Sequence, residues 1–126
     1  MKKRLTIIQM DVHVNDVEYN YNRVQELLVQ SLSESPDIIV LPETWNTGFY
    51  PSKELFNIAD RNGERTKSLL STFAKEHNVN IVGGSVAVAK NDVVFNTSYA
   101  YNREGKLVGE YSKMHGFSPA KEDQYF

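Results

Sequence analysis

Two charged side chains, Glu43 and Lys113, each lie just past a stretch that the sequence predicts to be a strand. Residues 38–41 form a short run rich in β-branched side chains, and Pro42 ends it because it has no N–H to give to a sheet. In open α/β sheets, side chains beyond the carboxyl ends of strands line the ligand crevice. A carboxylate and an ammonium that meet there can serve proton transfer. The alternative for Glu43 is a strand-end side chain that faces water.

Other kinds of catalytic chemistry have little support in these residues. The chain contains no cysteine, so it can form neither disulfide bonds nor Cys-containing zinc sites, and it supplies no thiol nucleophile. His13, His77 and His115 share no metal-ligand spacing, and no metal site is predicted. The Gly-Gly-Ser segment at 83–85 matches neither a phosphate-binding loop nor a dinucleotide fingerprint. Close backbone packing or a bulge is the predicted reason for these glycines.

The composition is that of a single globular domain. The chain has 126 residues, of which 40% are hydrophobic and 24% charged, and its net charge is −2. Acidic and basic residues are interleaved, so neither a nucleic acid nor a membrane surface is expected as a partner. The apolar stretch near the start reaches only Met10, too short for a signal peptide or a membrane span. A cytoplasmic location is therefore expected.

The hydrophobic pattern predicts the elements that must position Glu43 and Lys113. A strand at 5–10, a helix that begins after Asn15 or Asp16, and the strand at 38–41 form a β–α–β unit with parallel strands. Both strands are predicted to be buried. The later elements are a short helix at 52–59, a helix at 64–77, and an antiparallel meander of strand regions at 79–89, 93–101 and 106–111. No closing element is predicted for residues 112–126.

Several short motifs, in the correct order along the whole chain, resemble those of the nitrilase-like carbon–nitrogen hydrolases. Residues 41–49, Leu-Pro-Glu-Thr-Trp-Asn-Thr-Gly-Phe, resemble the Glu motif of that family, and residues 110–115, Glu-Tyr-Ser-Lys-Met-His, resemble its Lys motif. Between them, Asn96-Thr97, the turn at 102–105 and Gly109 before the Lys motif also look like the family. The Trp-Asn-Thr-Gly segment at 45–48 most resembles the branch of ω-amidases and 2-oxo acid amidases.

The resemblance implies a Glu–Lys–Cys triad that hydrolyses an amide bond without metal or cofactor. Glu43 would be the general base and later the acid, and Lys113 would stabilise the oxyanion. Glu122 would support them as a second glutamate, with a surface side chain as its alternative. Candidates for the substrate pocket are Trp45, Phe49 and His115, although aromatic residues after a strand end are as often part of the core.

The implied fold is of the α/β (α+β) class, the N-terminal half of a four-layer αββα sandwich. Residues 1–126 would be the N-terminal part of one hydrolase domain, truncated before the nucleophilic Cys and inactive alone. Small ω-amides such as 2-oxoglutaramate are the expected substrates, and the complete protein is expected to be a homodimer. A nitrilase, a carbamoylase or an acyl-chain hydrolase remains an alternative within the family. The alternative outside it is an inactive half-domain that binds a partner chain through an exposed apolar face.

Overall fold

Seven strands form one mixed sheet, and the two longest helices pack against one of its faces. The computed structural model describes residues 1–126. Its strands are β1 Leu5–Ile7, β2 Ile38–Val40, β3 Asp60–Arg61, β4 Asn80–Val82, β5 Val86–Lys90, β6 Val93–Tyr101 and β7 Leu107–Ser112. Its helices are α1 Val17–Ser31, α2 Leu55–Ile58, α3 Glu64–His77 and α4 Glu122–Tyr125, with 3₁₀ turns at Leu32–Glu34 and Ser118–Ala120. The strand order is β1-β2-β4-β6-β5-β3, and β7 pairs with β6.

The strand pairing confirms both parts of the predicted topology. Strands β1 and β2 are parallel neighbours, with Leu5 opposite Ile38, and β5, β6 and β7 form the antiparallel meander. The strand region predicted at 79–89 is two strands, because the chain turns at Gly84, whose φ of +59° suits glycine. This break lets β4 extend the parallel part of the sheet while β5 joins the meander.

The helices α1 and α3 were predicted from their apolar faces, and both are present. Asp16 caps α1 by accepting a hydrogen bond from the Tyr19 N–H, and Asn78 ends α3 in the left-handed conformation. Their buried side chains meet those of the sheet in one core. The core includes Val24, Leu28, Leu70, Phe73 and Ala74 from the helices and Ile39, Ile81, Tyr99 and Tyr101 from the strands. None of the helices is long and apolar enough to cross a membrane.

The predicted burial of the first two strands is wrong for one face of the sheet. Leu5 and Ile7 of β1 are 55% and 66% exposed, and in β2 only Ile39 is fully buried. Side chains alternate between the two faces of a strand, and α1 and α3 cover only one face. Strand β1 also lies at the edge of the sheet. We refer to the uncovered side, which carries Leu5, Ile7, Val82 and Ala100, as the open face.

Three short elements depart from the predictions. The helix predicted at 52–59 is limited to α2, and the two-residue strand β3 was not predicted because two residues show no periodicity. The chain end predicted to lack a closing element forms α4. Tyr125 and Phe126 are half-buried there, packed against a small apolar cluster that includes Leu55 and Val94.

Candidate active site

The loop that carries Glu43 is fixed to the segment between β4 and β5 by backbone and side-chain hydrogen bonds. Pro42 accepts a hydrogen bond from the Ser85 N–H at 3.1 Å, and the Thr44 N–H donates to Ser85 Oγ at 3.0 Å. The Trp45 N–H donates to the Ser85 carbonyl at 3.2 Å, and its indole Nε1 donates to the Gly83 carbonyl at 2.9 Å. Bonds on both sides of Glu43 therefore determine where its side chain leaves the backbone.

Two further features hold the same loop. Asn46, which is fully buried, donates to the Ala87 carbonyl at 3.0 Å and accepts from the Ala87 N–H at 2.8 Å, so its amide pairs with β5 as a peptide group would. A Cβ added to Gly84 would lie 1.9 Å from the Pro42 carbonyl oxygen. The predicted close backbone packing at 83–85 is therefore confirmed. Thr44 has a φ of +46°, an uncommon conformation for a β-branched residue, of the kind that clusters at functional sites.

The register of β6 and β7 brings Lys113 to Glu43. Thr97 of β6 lies opposite Ser112, and the next N–H, that of Lys113, donates to the Asn96 carbonyl at 2.8 Å. Paired residues of neighbouring strands project from the same face, so Lys113 shares the open face with Asn96. Lys113 Nζ lies 3.1 Å from Glu43 Oε1, although 70 positions separate the two residues. The sequence left open whether the two strand ends meet, and in the structure they do.

Glu122 is a buried carboxylate that holds Lys113 from the other side. It is 1% exposed, and its Oε2 lies 2.9 Å from Lys113 Nζ and 2.6 Å from the Phe117 backbone nitrogen, which donates to it. The left-handed residue Lys121, with φ +59°, precedes it. A buried carboxylate is costly without a cation and hydrogen-bond donors, and this one has both. The surface position considered from the sequence does not apply to Glu122.

The electrostatics of the cluster keep Lys113 protonated. The hydrogen bond that Lys113 donates to Glu122, together with its hydrogen bond to Glu43 and the negative charge of Glu43, raises the pKa of the Lys113 ammonium above its ordinary value, despite partial desolvation. Two carboxylates surround a single ammonium, so a charged Lys113 offsets only one of them. An ammonium in this setting is suited to stabilise negative charge and is not a base.

The cluster opens into a cleft of 350 Å³ on the open face. The cleft is lined by Leu41, Glu43, Gly84, Ser85, Asn96, Ser98, Tyr111 and Lys113. The side chains of Glu43 and Lys113 are 46% and 32% exposed, so a small molecule in the cleft could reach both of them. Its size lies at the lower end of the range for small-molecule sites. No three His, Asp or Glu side chains are arranged to hold a metal ion.

The three pocket candidates from the sequence occupy different environments. Trp45 is fully buried in the core, with its ring edge-on to Tyr21 at 4.8 Å, and it does not line the cleft. Phe49 is 36% exposed, and its ring centroid lies 6.5 Å from that of Phe117. Phe49 is thus near the chain segment that holds Glu122. His115 is exposed and makes no hydrogen bond or ring contact.

Sequence reasoning missed three residues of the site. Asn96 donates to Glu43 Oε1 at 3.1 Å, Ser85 binds the residue after Glu43, and Phe117 gives its N–H to Glu122. Asn96 was noted only as part of a motif and Ser85 only as part of a tight segment. The contribution of Phe117 is a backbone N–H, which every residue but proline has, so its identity carries no signal.

A larger groove, of 520 Å³, lies between α1 and α3 on the other side of the molecule. Its most prominent charged residue, Arg65, is paired with Glu18 and stacked 3.9 Å above the ring of Tyr21. These contacts join the two helices, whereas Glu43 and Lys113 line the smaller cleft. The smaller cleft beside Glu43 is therefore the candidate active site.

The fold is a mixed α/β sheet with a Glu–Lys–Glu cluster beside the ends of two strands. Comparison with known proteins identifies the protein family to which the chain belongs. The model of the family described as carbon-nitrogen hydrolase matches residues 4–126, and the chain belongs to that family. A 2-oxoglutaramate amidase of Bacillus subtilis (strain 168) is 38% identical over all of this chain and 51% of the relative. The chain thus spans about half the length of this relative.

Solved structures agree with the family and with the fold. A CN-hydrolase superfamily protein from Xanthomonas campestris is 27% identical and superimposes with a TM-score of 0.83 over 98% of this chain and 45% of that one. An amidase from Nesterenkonia sp. AN1, with an acetamide moiety covalently added at its active site cysteine, gives a TM-score of 0.80 over 98% of this chain and 47% of that one. At 14% identity the amidase supports the fold alone.

Proposed function

We propose that this chain carries the general base and the oxyanion-stabilising cation of an amidase for small ω-amides of dicarboxylates, such as 2-oxoglutaramate. The observation that carries the proposal is the position of Lys113 Nζ, 3.1 Å from Glu43 and 2.9 Å from the buried Glu122. The substrate class is supported by the 38% identity to a 2-oxoglutaramate amidase and by a cleft of 350 Å³.

The reaction needs a thiol, and these 126 residues contain none. We therefore propose that polypeptide outside them supplies a cysteine thiol, as the Nesterenkonia amidase has at its active site. Glu43 takes the S–H proton as the sulfur attacks the amide carbon, because the thiolate is the nucleophile. Lys113, held protonated by Glu122, stabilises the oxyanion of the tetrahedral intermediate.

The same two residues complete the cycle. Protonated Glu43 returns its proton to the departing nitrogen, the C–N bond breaks, and ammonia leaves behind a thioester. Glu43, again a carboxylate, activates the water that hydrolyses the thioester. The 126 residues alone are accordingly expected to be inactive. The homodimer and the cytoplasmic location remain predictions from the sequence.

The test is ammonia release from 2-oxoglutaramate by the natural polypeptide that contains these residues, compared with its Glu43→Gln variant. Because the base is lost and the shape kept, kcat is expected to fall by roughly 10³-fold or more. Glu104→Gln, an exposed acid in the turn after β6, is the matched control and should retain wild-type turnover. Alkylation of the thiol should abolish turnover. Near-normal kcat in Glu43→Gln would contradict the proposal.

One observation favours a second candidate function, an inactive module that binds another chain. The open face exposes Leu5, Ile7 and Val82 to 55%, 66% and 40%, which is unusual for neighbouring apolar side chains on a sheet. Intact mass and thiol counting of the natural polypeptide distinguish the two functions. A mass of 14.4 kDa without a thiol would support the binding module, whereas a larger mass with a reactive thiol would support the amidase.

A further inference from the structure

Asn96 contacts both members of the reactive pair, and the contacts are of different kinds. Its side-chain Nδ2 donates to Glu43 Oε1 at 3.1 Å, while its backbone carbonyl accepts the Lys113 N–H at 2.8 Å. Asn96 lies within β6, where it pairs with Ala87 of β5, and is 4% exposed. Asn96 therefore links the Glu43 carboxylate, which it contacts through its side chain, to the backbone of Lys113, which it contacts through its carbonyl.

The two oxygens of Glu43 have different surroundings. Oε1 accepts from Asn96 Nδ2 and from Lys113 Nζ, each at 3.1 Å. Oε2 accepts no hydrogen bond from any residue of the structure. A rotation of the carboxylate that brought Oε2 toward Asn96 and Lys113 would break both hydrogen bonds to Oε1. The free Oε2 is thus the oxygen available to a substrate or nucleophile in the cleft.

The orientation of the Asn96 amide is determined by this contact. Rotating the amide would place its oxygen against Glu43 Oε1, replacing an attraction with a repulsion. In the observed orientation, the buried Oδ1 has no hydrogen-bond partner. An unsatisfied buried acceptor costs stability, and the hydrogen bond from Asn96 Nδ2 to Glu43 Oε1 offsets part of that cost.

We propose that Asn96 is a positioning residue, which pins Glu43 Oε1 and so assigns proton transfer to Oε2. The inference rests on the proposed function. In the attack step, the S–H proton moves to Oε2 as the S–C bond forms and the amide C=O electron pair moves onto oxygen. In the collapse step, the C=O bond re-forms, the C–N bond breaks and the proton on Oε2 passes to the nitrogen. Throughout, Oε1 keeps its two donors, and a neutral amide holds it without adding a second positive charge.

The test compares Asn96→Asp and Asn96→Ala in the complete enzyme. Asn96→Asp places an acceptor against Oε1 and should lower kcat by roughly 10²-fold while KM changes by less than about 3-fold, because a misplaced base slows the chemical step rather than binding. The acidic limb of kcat/KM against pH should also move to higher pH, since a second carboxylate disfavours the charged form of Glu43. Asn96→Ala, which only removes the donor, should lower kcat by roughly 10-fold or more without that displacement.

Thr97→Val is the matched control. Thr97 is the next residue of β6, fully buried, and its hydroxyl bonds to Ser112 Oγ at 2.9 Å on the opposite face. This variant loses a buried hydrogen bond of the same strand and should keep wild-type kcat and pH profile. Wild-type kcat in both Asn96 variants, or an equal loss in Thr97→Val, would overturn the inference.

The inference and the proposed function fail in different ways. If Glu43→Gln retains turnover, the proposed function is wrong. If Glu43→Gln is inactive while the Asn96 variants keep wild-type kcat and pH profile, only the role of Asn96 is wrong. In the double variant Asn96→Ala with Glu43→Gln, the loss should not exceed that of Glu43→Gln alone, because Asn96 acts through Glu43.

Discussion

The two sides of the candidate site are held in different ways. Glu43 is placed by a loop whose backbone and buried amide bond to the chain around Ser85 and Ala87. Lys113 follows β7, an edge strand with almost entirely exposed side chains, and its ammonium is held by the carboxylates of Glu43 and Glu122. Packing and backbone bonds fix the first side, whereas charge fixes the second.

The two sides should therefore respond to different kinds of substitution. A loop held by buried hydrogen bonds is sensitive to volume and to lost bonds, and its variants should lose stability together with activity. An ammonium held by charge is sensitive to a change of charge, and its variants should lose activity with little loss of stability.

Gly84→Ala should break the Glu43 side most strongly. The added Cβ would lie 1.9 Å from the Pro42 carbonyl oxygen and 2.6 Å from that of Leu41, and the φ of +59° adds strain. We expect the free energy of unfolding to fall by about 3 kcal/mol or more, with a loss of kcat, because the loop must move. Denaturant titration of the complete protein measures the first effect, and ammonia release the second.

Gly109→Ala is the control for this prediction. A Cβ at Gly109 would meet only the Ala100 Cβ at 3.6 Å, an ordinary van der Waals contact. Its φ lies outside the region that favours glycine, and it belongs to β7 on the other side of the site. Equal stability of the two alanine variants would show that Gly84 does not hold the loop.

Asn46→Ala should weaken the same loop by a smaller amount. It leaves the buried N–H and carbonyl of Ala87 without their partner, at an expected cost of about 2–3 kcal/mol in the free energy of unfolding. The control is Asn57→Ala, whose amide makes a single long contact of 3.4 Å at an exposed position of α2. If both variants unfold at the same denaturant concentration, the pairing of Asn46 with β5 contributes nothing to stability.

Glu122→Gln should act on the Lys113 side. The amide keeps the shape of Glu122 and removes the charge 2.9 Å from Lys113 Nζ, so the ammonium is held less firmly where the oxyanion forms. We expect kcat to fall by roughly 10–100-fold, while the unfolding free energy changes by less than in Asn46→Ala. Steady-state kinetics and unfolding of the same preparation give both numbers. A variant that loses stability but keeps kcat would assign Glu122 a structural role only.

Much of the Glu43 side was predictable, because it follows from local sequence. The apolar run at 38–41 and Pro42 locate the end of β2, and the glycines at 83–84 indicate close backbone packing. The parallel pairing of β1 and β2 follows from the helix between them. The buried partners of Asn46 were not predictable, since an asparagine in a loop has no pattern that tells a buried amide from an exposed one.

The Lys113 side was less predictable, because it depends on contacts between distant residues. The meander predicts that a residue after β7 lies near β6, but the match of Lys113 with Asn96 depends on register, which includes a shift at Ala100/Tyr101. The burial of Glu122 depends on the left-handed conformation of Lys121. Glycine and asparagine are the residues that usually indicate this conformation, and neither occupies position 121. The apolar composition of β1 and β2 predicts cover on both faces, so the openness of one face was expected only from the family resemblance, as the exposed apolar face of a half-domain.

The smallest predicted effect is a pH dependence of stability that comes from Lys113. Its pKa is raised above the ordinary value of 10.5, so the folded state binds this proton more tightly than the unfolded state. The stabilisation is fully present below about pH 10.5 and is lost as the pH rises through the folded-state pKa. Because Lys113 is 32% exposed, solvent screening should limit the loss to below about 1 kcal/mol.

Comparison with Lys113→Arg isolates this effect from the tyrosines. Burial also raises the pKa of Tyr21, Tyr99 and Tyr101, and stability lost as their hydroxyls ionise is common to both proteins. A guanidinium stays charged over this range, so the difference in unfolding free energy between wild type and Lys113→Arg should shrink or reverse in favour of the variant between about pH 10 and pH 11.5. A difference that is constant with pH would mean that Glu43 and Glu122 do not raise the pKa of Lys113 in the folded state. Charge would then not be what holds Lys113 in the site.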